Sequence, residues 1–73
     1  MKTAAELNFG ERGTIAEIDC THQSSRRILE FGFTPGQVIE LISKATFNDP
    51  IAILLRGSLI AIRKSEADCI KLK

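Results

Sequence analysis

The 73-residue sequence predicts a mainly β domain, namely a small SH3-like barrel of five strands with one short helix inserted after the first strand. Two observations predict this class. Short runs rich in isoleucine, leucine and valine alternate with glycine or proline turns, which is typical of strands, whereas residues 24–36 carry the start and stop signals of a helix. Because five short strands in a flat sheet leave open edges, curling into a barrel is favoured. A chain of this length forms one domain, which we place over residues 1–73.

One strand is predicted before the helix. The first 13 residues have little pattern beyond the large apolar side chains of Leu7 and Phe9. Residues 10–13, two glycines flanking two charged residues, predict a turn. The β-branched run at residues 14–19 then fits a strand with one buried face, followed by a polar connector.

The helix is predicted at about residues 24–31. Either Ser24 or Ser25 can cap its start, because a serine hydroxyl accepts a hydrogen bond from a free backbone N–H group. Gly32 is expected just past the helix in the left-handed region, which glycine adopts without a Cβ clash.

A sharp turn-back is predicted after the helix. With Gly32 left-handed, Ile28 and Phe33 become the hydrophobic pair that closes a Schellman motif. Pro35 and Gly36 suit the two central positions of a type II turn, so the next strand is expected immediately afterwards.

The run at residues 38–42 is apolar on both sides and predicts a strand covered partly on each face. A loop at residues 46–50 ends it, since Pro50 pushes Asp49 to an extended conformation. Asn48 tolerates left-handed backbone angles there.

Residues 51–55 and 59–62 flank a turn centred on Gly57, which predicts a tight hairpin. A single helical turn that Ser65 can cap is expected next. The alternating residues 69–73 predict the last strand.

The totals exclude several classes of protein. A net charge of +1 and the absence of tyrosine and tryptophan argue against nucleic-acid binding by a basic stacking surface. The longest apolar run has five residues, whereas a membrane-spanning helix needs ~20, and the amino terminus lacks the apolar segment of a signal peptide. We therefore expect a cytoplasmic protein without membrane insertion, in which Cys20 and Cys69 are free thiols.

No catalytic motif is present: the sequence has one histidine and no nucleophile elbow, Walker A or dinucleotide-binding pattern. We therefore predict that the protein is not an enzyme and requires no cofactor. Asp19, Cys20 and His22 are weak candidates for an Fe(II) or Zn(II) site, and only Cys69 is left to help complete the four ligands of a structural zinc. A surface histidine in a loop is the simpler interpretation.

The charges of the predicted helix are unusual. Arg26 and Arg27 lie in its first turn and Glu30 in its last, the reverse of what the helix dipole favours by about 0.3–1 kcal/mol per charge. Two interpretations stay open: the arginines contact a partner, or their stems cover apolar barrel surface while their charges stay in water.

Three phenylalanines add to this picture. Phe31 and Phe33 are separated by one residue, so both cannot easily point inward, and Phe47 lies in a polar loop. Exposed aromatic residues near one another commonly mark a docking surface. We therefore predict that partner binding involves Arg26, Arg27, Phe31, Phe33 and Phe47.

The sequence resembles the FeoA family, the ferrous iron transport protein A family. Residues 26–36 are similar to its Arg-x-x-Leu-x-x-Leu-Gly-(apolar)-x-Pro-Gly signature. Asn48-Asp49-Pro50-Ile51 resembles its Gly-Asp-Pro-Ile loop, residues 59–67 match its (apolar)-Leu-Arg-x-x-(acidic)-Ala ending, and Gly10-x-x-Gly13-x-Ile15 matches its first strand. The resemblance covers about residues 7–72. It differs at Phe31 and Phe33, where aliphatic residues are common.

The resemblance implies an SH3-like barrel without catalytic activity that serves as an accessory or regulatory protein of bacterial ferrous iron uptake. It implies a partner, the cytoplasmic GTP-binding domain of the membrane transporter FeoB. The same fold is seen at the carboxyl terminus of iron-dependent repressors, so a transition-metal-binding or metal-sensing domain is the alternative function, and a weak homodimer is a further option. No helix-turn-helix precedes the domain here, which counts against a repressor.

Overall fold

The computed structural model describes residues 2–45 and 49–73, which form five strands, two short helices and a 3₁₀ turn. The elements in chain order are the 3₁₀ turn Ala4–Glu6, β1 Arg12–Ile18, α1 Ser25–Phe31, β2 Val38–Lys44, β3 Ile51–Leu55, β4 Ser58–Ile62, α2 Lys64–Ala67 and β5 Ile70–Leu72. The prediction of a mainly β domain with five strands and one helix after the first strand is confirmed. No helix in these two ranges is long and apolar enough to cross a membrane.

The sheet is antiparallel throughout and has the strand order β4-β3-β2-β1-β5. β1 is shared between two neighbours: residues 12–14 pair with β2, and residues 15–18 pair with β5 across a register shift between Ile15 and Glu17. Such an irregularity bends a strand. The sheet therefore curls around β1, and α2 connects its two edge strands, β4 and β5.

The core lies inside this curl. β3 alternates between buried and half-buried residues, and β2 contributes the buried Ile39 and Leu41. The expectation that β2 is covered partly on each face is wrong at its start, because Val38 is 56% exposed on the outer face. Further along the same face Glu40 and Ile42 are half-buried, as the expectation requires.

The amino-terminal segment is more ordered than its sequence suggests. Leu7 is fully buried, and the backbone N–H of Leu72 donates to the carbonyl of Lys2 at 2.7 Å. Thr3 forms an isolated bridge to Lys71, so this segment covers the outer edge of β5. The sequence signal that could have predicted this order is the capping-box pattern Thr-x-x-Glu, formed by Thr3 and Glu6 around the 3₁₀ turn.

Strand β1 begins at Arg12, so the predicted turn at residues 10–13 is too long. Gly13 lies within the strand, opposite Ile39. A Cβ atom on Gly13 would lie 2.8 Å from the Cδ1 atom of the buried Leu72. This glycine therefore permits close packing of β5 rather than a turn.

The predicted turn-back after α1 is confirmed. Gly32 has a φ of 101°. The N–H of Phe33 donates to the carbonyl of Ile28 at 3.4 Å and the N–H of Gly32 to that of Leu29 at 3.0 Å, the two bonds of a Schellman motif. Gly36 has a φ of 92°, as the third residue of a type II turn requires.

Neither predicted serine cap forms. The hydroxyl of Ser24 accepts no capping bond, because its backbone (φ −92°, ψ 1°) is outside the extended region that directs a cap hydroxyl toward the helix. Ser65 lies inside α2, because the helix already begins at Lys64. The residue at its N-cap position is Arg63, whose backbone is extended. The N–H of Arg63 donates to the Glu66 carboxylate at 2.8 Å instead.

The hairpin of β3 and β4 is confirmed, with β4 beginning one residue earlier than predicted. Arg56 (φ 51°) and Gly57 (φ 78°) form its two-residue turn, and both are left-handed, as a type I′ turn requires. All five residues of β3 pair with β4 without a register shift.

We expect Gly32→Ala to lower the free energy of unfolding by about 1–2 kcal/mol, because alanine in the left-handed region suffers a Cβ clash. Thermal denaturation would show a melting temperature lower by several degrees. Gly32→Asn is the matched control and should lose less, because asparagine tolerates this conformation. An alanine variant as stable as the original protein would contradict the role of Gly32.

Candidate docking site

The exposed face of α1 is the candidate site. Of the seven residues of α1, Ile28 is the buried one. Leu29 is 41% exposed and Phe31 37% exposed, next to the exposed Arg26 and Arg27. We call these four residues, Arg26, Arg27, Leu29 and Phe31, the corner surface.

Two of the predicted partner-binding residues are not part of it. Phe33 is fully buried, so its prediction as a contact residue is corrected. The Schellman motif directs Phe33 onto Ile28 in the core, which leaves Phe31 outside. Phe47 lies outside the described residues.

Arg27 has a structural role that the sequence did not reveal. Its Nε atom lies 3.2 Å from Oε2 of Glu66, and its guanidinium lies 5.3 Å from the centre of the Phe31 ring. Glu66 is 8% exposed, and its Oε1 atom accepts the N–H of Arg63. The charge of Arg27 therefore joins α1 to α2, and neither of the two interpretations of this arginine included such a contact.

Arg26 differs from Arg27. It is exposed and belongs to none of the ion pairs that the described residues form. Its position in the first turn of α1 is unfavourable for the helix dipole, and no ion pair within the described part of the chain offsets that cost. Arg26 is thus the cation of the corner surface that is available to another molecule.

The predicted motif residues shape the corner, except Leu29, which was predicted as a motif residue but is 41% exposed and belongs to the corner surface. Gly32, Pro35 and Gly36 turn the chain back, and Ile28 anchors α1 in the core. Asp49 contributes elsewhere, at the start of α2.

Asp49 connects its loop to α2. Its Oδ1 atom accepts the N–H of Lys64 at 2.9 Å, and Pro50 follows through a cis peptide bond. The hydrogen bond of Asp49 therefore supports the start of α2, the helix whose Glu66 binds Arg27.

The β3–β4 turn lies beside the corner surface. With its amide group oriented to satisfy its neighbours, Gln37 donates to the carbonyl of Gly32 at 3.1 Å and accepts from Nε of Arg56 at 2.9 Å. An open groove of about 170 Å³ lies on the outer face of the sheet nearby. Its lining includes Arg12, Val38, Glu40, Leu54 and Arg56.

The candidate metal ligands are not brought together. The Oδ1 atom of Asp19 accepts both the N–H and the hydroxyl of Thr21, which lowers the pKa of Asp19. The Nδ1 atom of His22 accepts the N–H of Ser24 at 3.0 Å. Within residues 2–45 and 49–73, no three histidine, cysteine, aspartate or glutamate side chains form a group that could hold a metal ion. Metal binding stays a prediction.

Comparison with known proteins identifies the family. The family model described as the FeoA domain matches residues 2–73. The chain belongs to the FeoA family. The resemblance that the sequence motifs predicted is thereby confirmed.

One curated relative of this FeoA-family chain is a fusion protein from Porphyromonas gingivalis. It is named Fe(2+) transport protein A/Fe(2+) transporter FeoB fusion protein and is 26% identical over 69 residues. The match covers 94% of this chain but only 8% of the fusion protein's length. The chain therefore corresponds to a small part of that relative.

Solved structures agree on the fold. An FeoA-like protein from Clostridium acetobutylicum is 31% identical with a TM-score of 0.89, covering 100% of this chain and 87% of that one. An FeoA from Stenotrophomonas maltophilia, complexed with zinc and described as a prokaryotic SH3 domain protein, is 21% identical with a TM-score of 0.87, covering 100% and 91%. A manganese-dependent transcriptional repressor is 17% identical with a TM-score of 0.85, covering 97% and 35%. The predicted SH3-like fold and its recurrence in metal-dependent repressors are confirmed.

A double-mutant cycle of Arg27→Met and Glu66→Gln should give a coupling energy of about 0.5–1 kcal/mol, because each single change leaves the other charge without its partner. Chemical denaturation of the four proteins measures it. The Arg12–Glu40 pair is the matched control and should couple less, because its side chains are 75% and 25% exposed, against 63% and 10% for Arg27 and Glu66. A coupling energy of zero would remove the structural role of Arg27.

The two cysteines should differ sharply in reactivity. Cys20 is exposed, whereas Cys69 is fully buried, and burial raises the pKa of the Cys69 thiol to about 11. Because alkylation requires the thiolate, iodoacetamide near pH 8 should modify Cys20 and leave Cys69 intact until the protein unfolds. Mass spectrometry of proteolytic peptides reads this out, and the Cys20→Ser variant is the control. Equal labelling of both thiols in the folded protein would contradict the described packing.

Proposed function

We propose that this protein is a non-catalytic accessory protein of ferrous iron uptake, which binds the cytoplasmic GTP-binding domain of a FeoB-type transporter through the corner surface. The observation that carries the proposal is the fusion of a homologous region to FeoB within one chain in Porphyromonas gingivalis. Two proteins that occur fused commonly act together. Separate chains of the same kinds then need a surface that replaces the covalent link.

The corner surface has the composition of such a contact. Leu29 and Phe31 supply exposed apolar area on one helix, and Arg26 supplies a cation next to it. Aromatic residues and arginine are enriched where one protein binds another. The ion pair to Glu66 fixes Arg27 and thereby holds the face of Phe31 in a set orientation, so little side-chain freedom is lost on binding.

The proposal is tested by titrating the isotopically labelled full chain with the separately produced GTP-binding domain of the FeoB protein from the same organism. Backbone amide signals of residues 25–33 should shift. We expect Leu29→Asn to weaken binding about tenfold, which corresponds to about 1.4 kcal/mol, because it removes apolar contact area without disturbing the buried Ile28.

The matched control is Phe9→Asn. Phe9 is 78% exposed but lies outside the corner surface, next to Gly10, whose N–H donates to the carbonyl of Leu41 in the middle of β2. The Phe9→Asn variant should therefore bind the GTP-binding domain as tightly as the original protein does. Unchanged spectra at high partner concentration, or equal weakening by the two variants, would overturn the proposed site.

A further inference from the structure

Strand β4 is an open edge of the sheet. It stands at one end of the strand order and pairs with β3 alone among the described strands. The edge at the other end, β5, is covered by the amino-terminal segment through the bond between Leu72 and Lys2 and the bridge between Thr3 and Lys71. The two edge strands thus differ: β5 is covered by the amino-terminal segment, whereas the outer edge of β4 is open among the described residues.

The unpaired backbone groups of β4 can be assigned. In a two-residue hairpin the residues that flank the turn exchange both hydrogen bonds, and such pairs alternate along the ladder. Ser58, Ile60 and Ile62 therefore bond to β3, whereas the N–H and C=O groups of Leu59 and Ala61 point away from it. Within residues 2–45 and 49–73, no further backbone group bonds to this outer row.

Nothing within β4 protects this row. The strand has the sequence Ser-Leu-Ile-Ala-Ile, without charge or proline, and it pairs with β3 without a bulge. Charged side chains, prolines and bulges are the usual means by which proteins blunt an edge. An edge that lacks all three is a template for pairing with another extended chain.

The charged residues around β4 indicate which charges a segment that pairs with this edge should have. Arg56 precedes the strand, Arg63 and Lys64 follow it, and all three residues are exposed. In an antiparallel pair of two copies centred on Ile60, the turn that carries Arg56 of each copy would lie next to Arg63 and Lys64 of the other. Like charges brought close together in this way repel, whereas an extended segment with acidic ends would meet a cation at each end.

The outer face of the sheet at β4 also favours particular side chains at alternate positions of an added strand. Leu59 is 60% exposed and Ala61 is exposed, and both point to the same face as the half-buried Leu54. Residues of an added strand opposite Leu59 and Ala61 would lie on this face and extend its apolar area. Apolar residues are therefore favoured at two alternate positions between the acidic ends.

We propose that β4 is a β-augmentation site that binds an extended, acid-flanked peptide segment of another protein as a sixth strand. This site uses β4 rather than the corner surface and does not depend on the identity of the transporter partner. The backbone groups of Leu59 and Ala61 supply the hydrogen bonds. Arg56, Arg63 and Lys64 supply the preference for acidic ends.

The probe is the synthetic peptide Glu-Thr-Val-Thr-Val-Thr-Glu with blocked ends, which places valine opposite Leu59 and Ala61. Titration into the labelled full chain should shift the amide signals of Leu59 and Ala61 and slow their hydrogen exchange. The same peptide with lysine in place of both glutamates should bind at least about threefold more weakly, the effect expected from one lost exposed ion pair.

Two pairs of variants separate backbone pairing from other contacts. Ala61→Pro removes an outward N–H that β3 does not use and should abolish binding, whereas Ala61→Val keeps the N–H and should retain it. Arg56→Asn suits the left-handed turn and, with Arg63→Gln and Lys64→Gln, should erase the preference for the acidic peptide. Circular dichroism checks that each variant is folded.

Three outcomes would overturn the proposal. The first is the absence of peptide-induced shifts at Leu59 and Ala61. The second is undiminished binding by a folded Ala61→Pro variant. The third is protection of the two amides that rises with protein concentration without peptide, which would assign the edge to a second copy of this chain. A failure here leaves the α1 titration unaffected, because that experiment monitors residues 25–33.

Discussion

A seven-residue helix makes too few internal hydrogen bonds to be stable alone, so α1 exists because the turn at Gly32 anchors it to the core. The left-handed glycine allows Phe33 to fold back onto Ile28, and both side chains are fully buried. The same geometry directs Leu29 and Phe31 outward. One backbone conformation therefore fixes both the interior of the barrel and the composition of the corner surface.

The second constraint is the carboxylate of Glu66. It accepts the N–H of Arg63 at the start of α2 and binds the guanidinium of Arg27 on α1. A nearly buried carboxylate needs such partners, because an unpaired charge in the interior is costly. The pairing also resolves the unfavourable position of Arg27 in the first turn of its helix. Arg26, which has the same position problem but no such partner in the described part of the chain, is left for intermolecular contact.

Features that depend on neighbouring residues were predictable from the sequence. The Schellman motif needs Ile28, Gly32 and Phe33 within six positions, and the β3–β4 hairpin needs one glycine between two apolar runs. Features that depend on distant residues were not. Nothing in the sequence connects Arg27 to Glu66 or indicates that Leu72 packs on Gly13, because those contacts exist only after the sheet curls. The cap at Ser24 failed for a local reason, its backbone angles, which its polar neighbours do not determine.

The bond between Lys2 and Leu72 joins two residues from opposite ends of the domain. β1 likewise obtains half of its pairing from β5, the last strand in the sequence. β1 to β4 can pair with one another, but Ile15 lacks its partner Leu72 until β5 joins β1. Closure of the domain therefore requires its first and last segments to meet, so a truncation at either end removes pairing from the other.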